Sequence, residues 1–272
     1  MKHLPLPADS GDAVILAVVG KGGWEGYRER WLAALRNYRA HGGDPWSVLP
    51  AKFSKAEGAL LCKLYDSRRS SKPIEAIRHP ELGHASCPIC GSPAGPSIDH
   101  ALPRAIFPEF SIVRENLVPA CTMCNSDEKG TKYRGEHAPL RFIHPYFDEW
   151  LAGPIWRVAF GDDLDAPVFS PEPAEELSAD RKAILAFHLS SVLGRSWRGH
   201  CMRYWGSLKL KLSDDLGSSS DVKMLTARLE KYLRYSVIEG GENSWNAAFL
   251  RGVLHDPRVA VHLASTLVSV AA

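Results

Sequence analysis

Apolar positions recur with helical spacing over most of this chain. Trp24, Tyr27, Trp31, Leu35 and Tyr38 stand three and four residues apart, which predicts an amphipathic helix ending near Gly42 and Gly43, with Arg28, Arg36 and Arg39 on its other face. A second helix is expected from about Ser54 to Arg69, because Ser54 and Glu57 form a capping-box pattern. Ala13 to Val19 is a short apolar run, a strand or a buried helical turn, and residues 1–12 read as a flexible polar lead. Further on, Ile155 to Phe160 reads as a strand, and the acidic, Pro-containing stretch Gly161 to Glu176 as a loop or linker. Ser178 or Asp180 opens a long helix through about Leu212, with an apolar stripe from Ile184 to Leu208 and with Gly194 and Gly199 as points where it kinks or divides. Gly217 to Asp221 is a loop feeding an N-cap, Val222 to Ile238 is another amphipathic helix, and short helices from about Ser244 and Pro257 close the chain. No internal repeat is present.

One stretch departs from this pattern, Cys87 to Lys132. It carries two Cys-x-x-Cys knuckles, Cys87/Cys90 and Cys121/Cys124. Two such turns bring four thiolates onto one tetrahedral Zn²⁺, and an all-sulfur site is closed to water and therefore structural. The alternatives are two disulfides or four ordinary buried cysteines; paired knuckles are a specific signal for the metal. The thirty residues between the knuckles exceed what a zinc ribbon needs.

Between and beside the knuckles stand Asp99, His100, Asn116 and Asn125. An imidazole titrates near neutrality, so His100 can take a proton from water. Asp99 and Asn125 offer hard oxygen donors suited to Mg²⁺ or Mn²⁺. A strand over residues 97–102 would send Asp99 and His100 to opposite faces. The spacing Asp99-His100-x-x-Pro103, then Asn116-Leu117-x-Pro119-x-Cys121-x-x-Cys124-Asn125, then Lys129-Gly130, resembles the HNH endonucleases, the ββα-metal nucleases, from Cys87 to about Tyr133. The resemblance implies a metal-dependent endonuclease. His100 is its general base, Asp99 and Asn125 its metal ligands, and Asn116 a support whose amide braces the loop carrying His100. It also implies DNA as the substrate, with 5′-phosphate ends, RNA not being excluded, and a helix after Asn125. Lys129 and Lys132 on that helix, and Arg104, either touch flanking phosphates or are solvated. Zinc would hold the site without taking part in the chemistry.

The expected architecture is mainly α with a small embedded, zinc-bound ββα core. Residues 1–79 form a helical region, 80–150 the nuclease module and 151–272 a helical domain for partner binding, DNA docking or oligomerisation. The run His144-Pro145-Tyr146-Phe147-Asp148 resembles a subset of bacterial HNH proteins found in anti-phage defence systems beside an ATPase subunit, which implies such a partner; His144 itself is expected to be packed. The net charge is only +2, so no global basic field attracts nucleic acid, and the excess of basic residues from Lys21 to Arg78 is the expected DNA-tracking surface. Four of six cysteines serve zinc in this reading; Cys62 and Cys201 are core positions, a usage that fits the reducing cytoplasm. No secretory signal or membrane span is expected, since the apolar runs Ala13–Val19 and Val259–Ala272 are too short. Gly20-Lys21-Gly22-Gly23 lacks the Lys-Ser/Thr of a phosphate loop. The rival to the enzyme is a non-catalytic zinc module that binds nucleic acid or serves an assembly.

Overall fold

A computed structural model describes residues 1–7, 11–78, 86–93, 96–217 and 221–270. Among these residues the protein is mainly helical, with two small antiparallel hairpins. The boundary expected at 79/80 lies outside the described residues, as do Ser218–Ser220 of the expected loop.

The N-terminal helices are α1 (Gly11–Val19), α2 (Arg28–Ala40), α3 (Lys55–Asp66) and α4 (Lys72–Arg78). The apolar run at 13–19 is thus helical rather than a strand. The α2 stripe buries Trp31, Leu35 and Tyr38 completely, and each such side chain contributes roughly 1.5–3 kcal/mol. Ser54 Oγ accepts from Glu57 N and Glu57 Oε2 from Ser54 N, so the capping box forms and fixes the start of α3. The lead segment is not a free tail: Met1 and Leu4 are buried, and Leu4 N donates to Pro145 O at 2.8 Å.

Strands β1 (Pro96–His100) and β2 (Leu117–Cys121) pair antiparallel, with Asp99 opposite Val118 and His100 opposite Leu117. A π-helical turn, Met123–Glu128, follows. Lys129 N reaches Cys124 O at 3.1 Å, a bond spanning five residues, so the helix expected after Asn125 is a short wide turn that begins before it.

In the C-terminal part, β3 (Trp156–Phe160) pairs with β4 (Phe169–Pro173). The stretch expected to be a linker therefore carries a strand. Its prolines sit at the edge of a two-stranded ribbon, where a missing N–H is tolerated. The long helix divides into α5 (Ala179–Val192), capped by Ser178, and α6 (Arg195–Leu216). The break falls at Leu193 and Gly194, while Gly199 passes through α6 without interrupting it. Helices α7 (Val222–Gly240), α8 (Trp245–His255) and α9 (Pro257–Val270) follow, α7 and α8 being N-capped by the side chains of Asp221 and Ser244.

Two main hydrophobic cores result. One joins α1–α3 to Leu102, Phe107, Phe110, Ile112 and Val113. The other joins the four knuckle cysteines to β3, β4 and α5–α9, and Cys201 is fully buried in it. Cys62 is only half-buried. No described helix is long and apolar enough to cross a membrane.

Candidate functional site

The sulfurs of Cys87, Cys90, Cys121 and Cys124 all lie within 4.8 Å of one another, every one buried and none in a disulfide. Cys90 Sγ and Cys121 Sγ are 3.8 Å apart. A tetrahedron with Zn–S bonds of about 2.3 Å has edges of about 3.8 Å, so this spacing suits a metal and is far too long for a sulfur–sulfur bond. Backbone amides support the sulfurs: Cys121 N donates to Cys87 Sγ at 3.2 Å and Cys124 N to Cys121 Sγ at 3.4 Å. The group can hold a metal such as zinc.

The first knuckle is clasped by the C-terminal helices. Trp245 Nε1 donates to Cys90 O at 2.7 Å, and Trp245 N to Gly91 O at 3.1 Å. His188, fully buried on α5, meets Ile89 O through Nε2 at 2.7 Å, and its Nδ1 accepts from Ile143 N. Burial pushes this imidazole down to about 3, so it is neutral, with its proton on Nε2. Gly91 has φ +81°, and a side chain there would strike Asn243 O, so only glycine lets the knuckle close against the α8 entrance.

The two faces of the β1–β2 hairpin belong to different surroundings. On one, Ile98 and Leu117 pack with Ile74 and Ile77 of α4 and with Tyr65 of α3. His100 shares this side and sits edge-on to Tyr65, ring centroids 4.7 Å apart. Its Nε2 lies 2.9 Å from Ser111 O. A carbonyl only accepts, so the proton is on Nε2 and the lone pair on Nδ1. Burial, followed by the nearby Arg104 and Lys129 charges, outweighs the bond to Ser111 O and holds His100 at about 4.

On the other face are Ser97 and Asp99. Asn125 Nδ2 donates to Ser97 Oγ at 2.9 Å, which leaves the amide oxygen for another partner. Asp99 is 4% exposed and paired with Lys129, whose Nζ lies 2.8 Å from Oδ2 and also donates to His100 O at 3.0 Å. Burial raises the Asp99 carboxyl, while Lys129 draws it back down. The hairpin thus presents Asp99 and the Asn125 contact on one side and His100 on the other.

Asn116 is fully buried and braces the turn after His100. Its Oδ1 accepts from Leu102 N at 2.8 Å, and its Nδ2 donates to Leu102 O at 3.0 Å and Phe110 O at 3.3 Å. Tyr38 Oη donates to the same Oδ1 at 3.1 Å and meets His144 Nε2 at 2.8 Å. His144 Nδ1 accepts from Tyr146 N, so Nε2 carries the proton and donates to Tyr38. His144 is a packed residue, buried and held down at about 3 by that burial. Arg141 grips Asp148 with two bonds of 2.8 Å, and Asp148 Oδ2 accepts from His144 N.

The three candidate phosphate contacts separate. Lys129 is neither solvated nor free for a phosphate: its side chain is 2% exposed and bound to Asp99. Lys132 is exposed and donates to Ser191 Oγ at 3.3 Å. Arg104 pairs with Asp66 at 2.7 Å and lies over the Tyr65 ring. Sequence reasoning missed Ser111, whose contribution is a backbone carbonyl and leaves no trace in residue type. It also missed the Lys129–Asp99 pair, which the π turn brings about.

The fold and its ligand group define a mostly helical protein with a buried group of four cysteines that can hold a metal. Over 116 residues, 41% of its length, the chain is 35% identical to Protein ea31 of Escherichia phage lambda, and the match spans 38% of that protein. No family model matches the chain. No solved structure matches it significantly.

Proposed function

We propose that the protein is a metal-dependent endonuclease of the HNH type acting on DNA. The observation that carries this reading is the tautomer of His100, set by Ser111 O at 2.9 Å, which leaves Nδ1 as a neutral proton acceptor. In the proposed step Nδ1 takes a proton from water as the water oxygen attacks phosphorus. The bond to the 3′ oxygen breaks, that oxygen takes a proton from a solvent water as it leaves, and the new P–O bond gives a 5′-phosphate. Asn116 keeps the turn after His100 in place.

Asp99 and Asn125 carry a carboxylate and an amide oxygen, which are ordinary ligands of a hard divalent ion. Asp99 and Asn125 would hold Mg²⁺ or Mn²⁺, which when bound supplies charge stabilisation on the phosphate and the departing oxygen. Zinc on the four cysteines fixes the backbone beside Asn125 without touching substrate. Lys132, Arg104 and the basic surface of α2–α4 would meet flanking phosphates. A cytoplasmic effector acting beside an ATPase subunit in anti-phage defence is the setting that this reading favours.

The test is incubation of the zinc-loaded protein with plasmid, single-stranded DNA and RNA, in Mg²⁺ and in EDTA. Nicking in Mg²⁺ that is lost in EDTA and in His100→Ala is expected, with DNA binding by that variant near wild type. Cleavage that survives in His100→Ala would overturn the mechanism. The Lys129–Asp99 ion pair favours a second reading, a zinc-stabilised module that binds nucleic acid without cutting it; binding with no cleavage of any of the three substrates would establish that one.

A further inference from the structure

We propose that Lys129 is a resident cation that closes the Asp99 site, so that its ammonium and a divalent metal ion bind the carboxylate in mutually exclusive states. The inference rests on the proposed placement of that ion at Asp99, but not on the protein cleaving nucleic acid.

Three observations carry it. First, the pair is sealed: the Lys129 and Asp99 side chains are 2% and 6% exposed, with Nζ 2.8 Å from Oδ2. A neutral pair has nothing to offer a dication, and a +2 ion beside a buried ammonium would suffer strong repulsion. Second, room is lacking. The cavity next to the pair, walled by Asp99, Lys129, Tyr133, Arg141, Phe142 and His144, holds ≈ 20 Å³, space for about one water. Mg²⁺ and Mn²⁺ keep several waters in their octahedral shells, so an ion with its waters enters only once the ammonium has left.

Third, a left-handed glycine with open space around it directly follows the lysine. Lys129 is the last support of the π turn, through its N–H to Cys124 O, and Gly130 follows it with φ +53° and open space where a side chain would lie. A left-handed glycine directly after a single wide turn is a joint at which that turn can tighten or swing. Beyond it Lys132 is exposed, which is where the departing Lys129 would join it.

The experiment measures Mn²⁺ binding to the zinc-loaded protein by the spin-resonance signal of free Mn²⁺. Lys129→Met should bind Mn²⁺ at least about tenfold more tightly than wild type, as removal of a charge a few ångströms away requires. The gain should vanish when Asp99→Asn is added. Mn²⁺ should also raise the melting temperature of Lys129→Met much more than that of wild type. Equal or weaker Mn²⁺ binding by Lys129→Met overturns the proposal. If that variant loses its zinc and does not fold, acylation footprinting of the wild type decides. Lys129 should be protected without Mn²⁺ and labelled at millimolar Mn²⁺; unchanged protection counts against the proposal. The two readings fail separately. Enhanced Mn²⁺ binding without cleavage leaves this inference standing and removes the nuclease, whereas His100-dependent cleavage with unchanged Mn²⁺ affinity does the reverse.

Discussion

The indole N–H of Trp245 donates to the carbonyl of Cys90 at 2.7 Å, across 155 positions of sequence. A residue at the first turn of α8 thereby holds the second cysteine of the first knuckle, and the four cysteines lie in the same hydrophobic core as the C-terminal helices. Trp245→Phe keeps most of the apolar contact and removes the donor. The buried carbonyl left unpaired costs about 1–3 kcal/mol. Thermal unfolding should show that loss, and zinc should pass to a competing chelator faster than from wild type. Unchanged zinc retention would mean that the knuckle is held by its own amides alone.

Zinc removal should be felt well beyond the hairpin. His188 of α5 and Trp245 of α8 both anchor on carbonyls inside the Cys87–Gly91 loop. Loss of metal leaves that loop to its own few backbone bonds, and structural zinc commonly supplies a large part of the folding free energy. Cys121→Ser, or strong chelation, should increase hydrogen exchange in the first turn of α8 and near His188 as well as in β1 and β2. Exchange confined to the hairpin would show that the helices dock without it. On the proposed function, cleavage should be lost in the same samples and should not return with Mg²⁺ alone.

Asn116 offers a sharper separation between support and chemistry. Its side chain spans Leu102 and Phe110 through three buried bonds and takes a fourth from Tyr38. Asn116→Ala strips all four and leaves partners unsatisfied, at a cost of about 2–4 kcal/mol by the usual range for buried networks. Asn116→Asp keeps the acceptor for Leu102 N and Tyr38 but loses both donations. It should fall between wild type and Asn116→Ala in denaturant unfolding; if the two variants unfold alike, the amide donors alone carry the brace.

Much of this was legible from residue order because the determinants are local. The Trp31–Tyr38 stripe, the Ser54/Glu57 box and the Cys-x-x-Cys spacing are each set within a few residues, and each appears at the expected place, whereas Trp24 and Tyr27 of the expected stripe lie at a separate turn before α2. What sequence could not give depends on distant partners or on carbonyls. The strand Phe169–Pro173 was hidden by its prolines and acids, since its pairing with Trp156–Phe160 is fixed by register and not by an apolar run. Lys129 read as either a phosphate contact or a solvated residue because a lysine is usually at the surface; the structure turns it inward to Asp99 beside the π turn. Met1 and Leu4 looked like a free lead because the knuckle and the Pro145 loop that cover them lie far along the chain.

Two imidazoles buried without charge set an acid limit on stability. His144 and His188 are each held at about 3 by burial, against about 6.5 in an unfolded chain. The sign follows from proton counts. Above pH 6.5 neither state protonates these groups, and they add no pH dependence. Between 6.5 and 3 the unfolded chain takes up two protons that the folded protein does not, so stability falls as pH falls, by about 1.4 kcal/mol per unit for each histidine. His188→Gln keeps a donor for Ile89 O and removes one titrating group. Its unfolding free energy should therefore decline less steeply than that of wild type between pH 6.5 and 5, by about 1.4 kcal/mol per unit. Any acid titration of the four cysteines is common to both proteins and cancels in the difference. Parallel slopes for the two proteins would mean that His188 takes up its proton in the folded state, giving up the Nδ1 lone pair that accepts from Ile143 N while Nε2 still donates to Ile89 O.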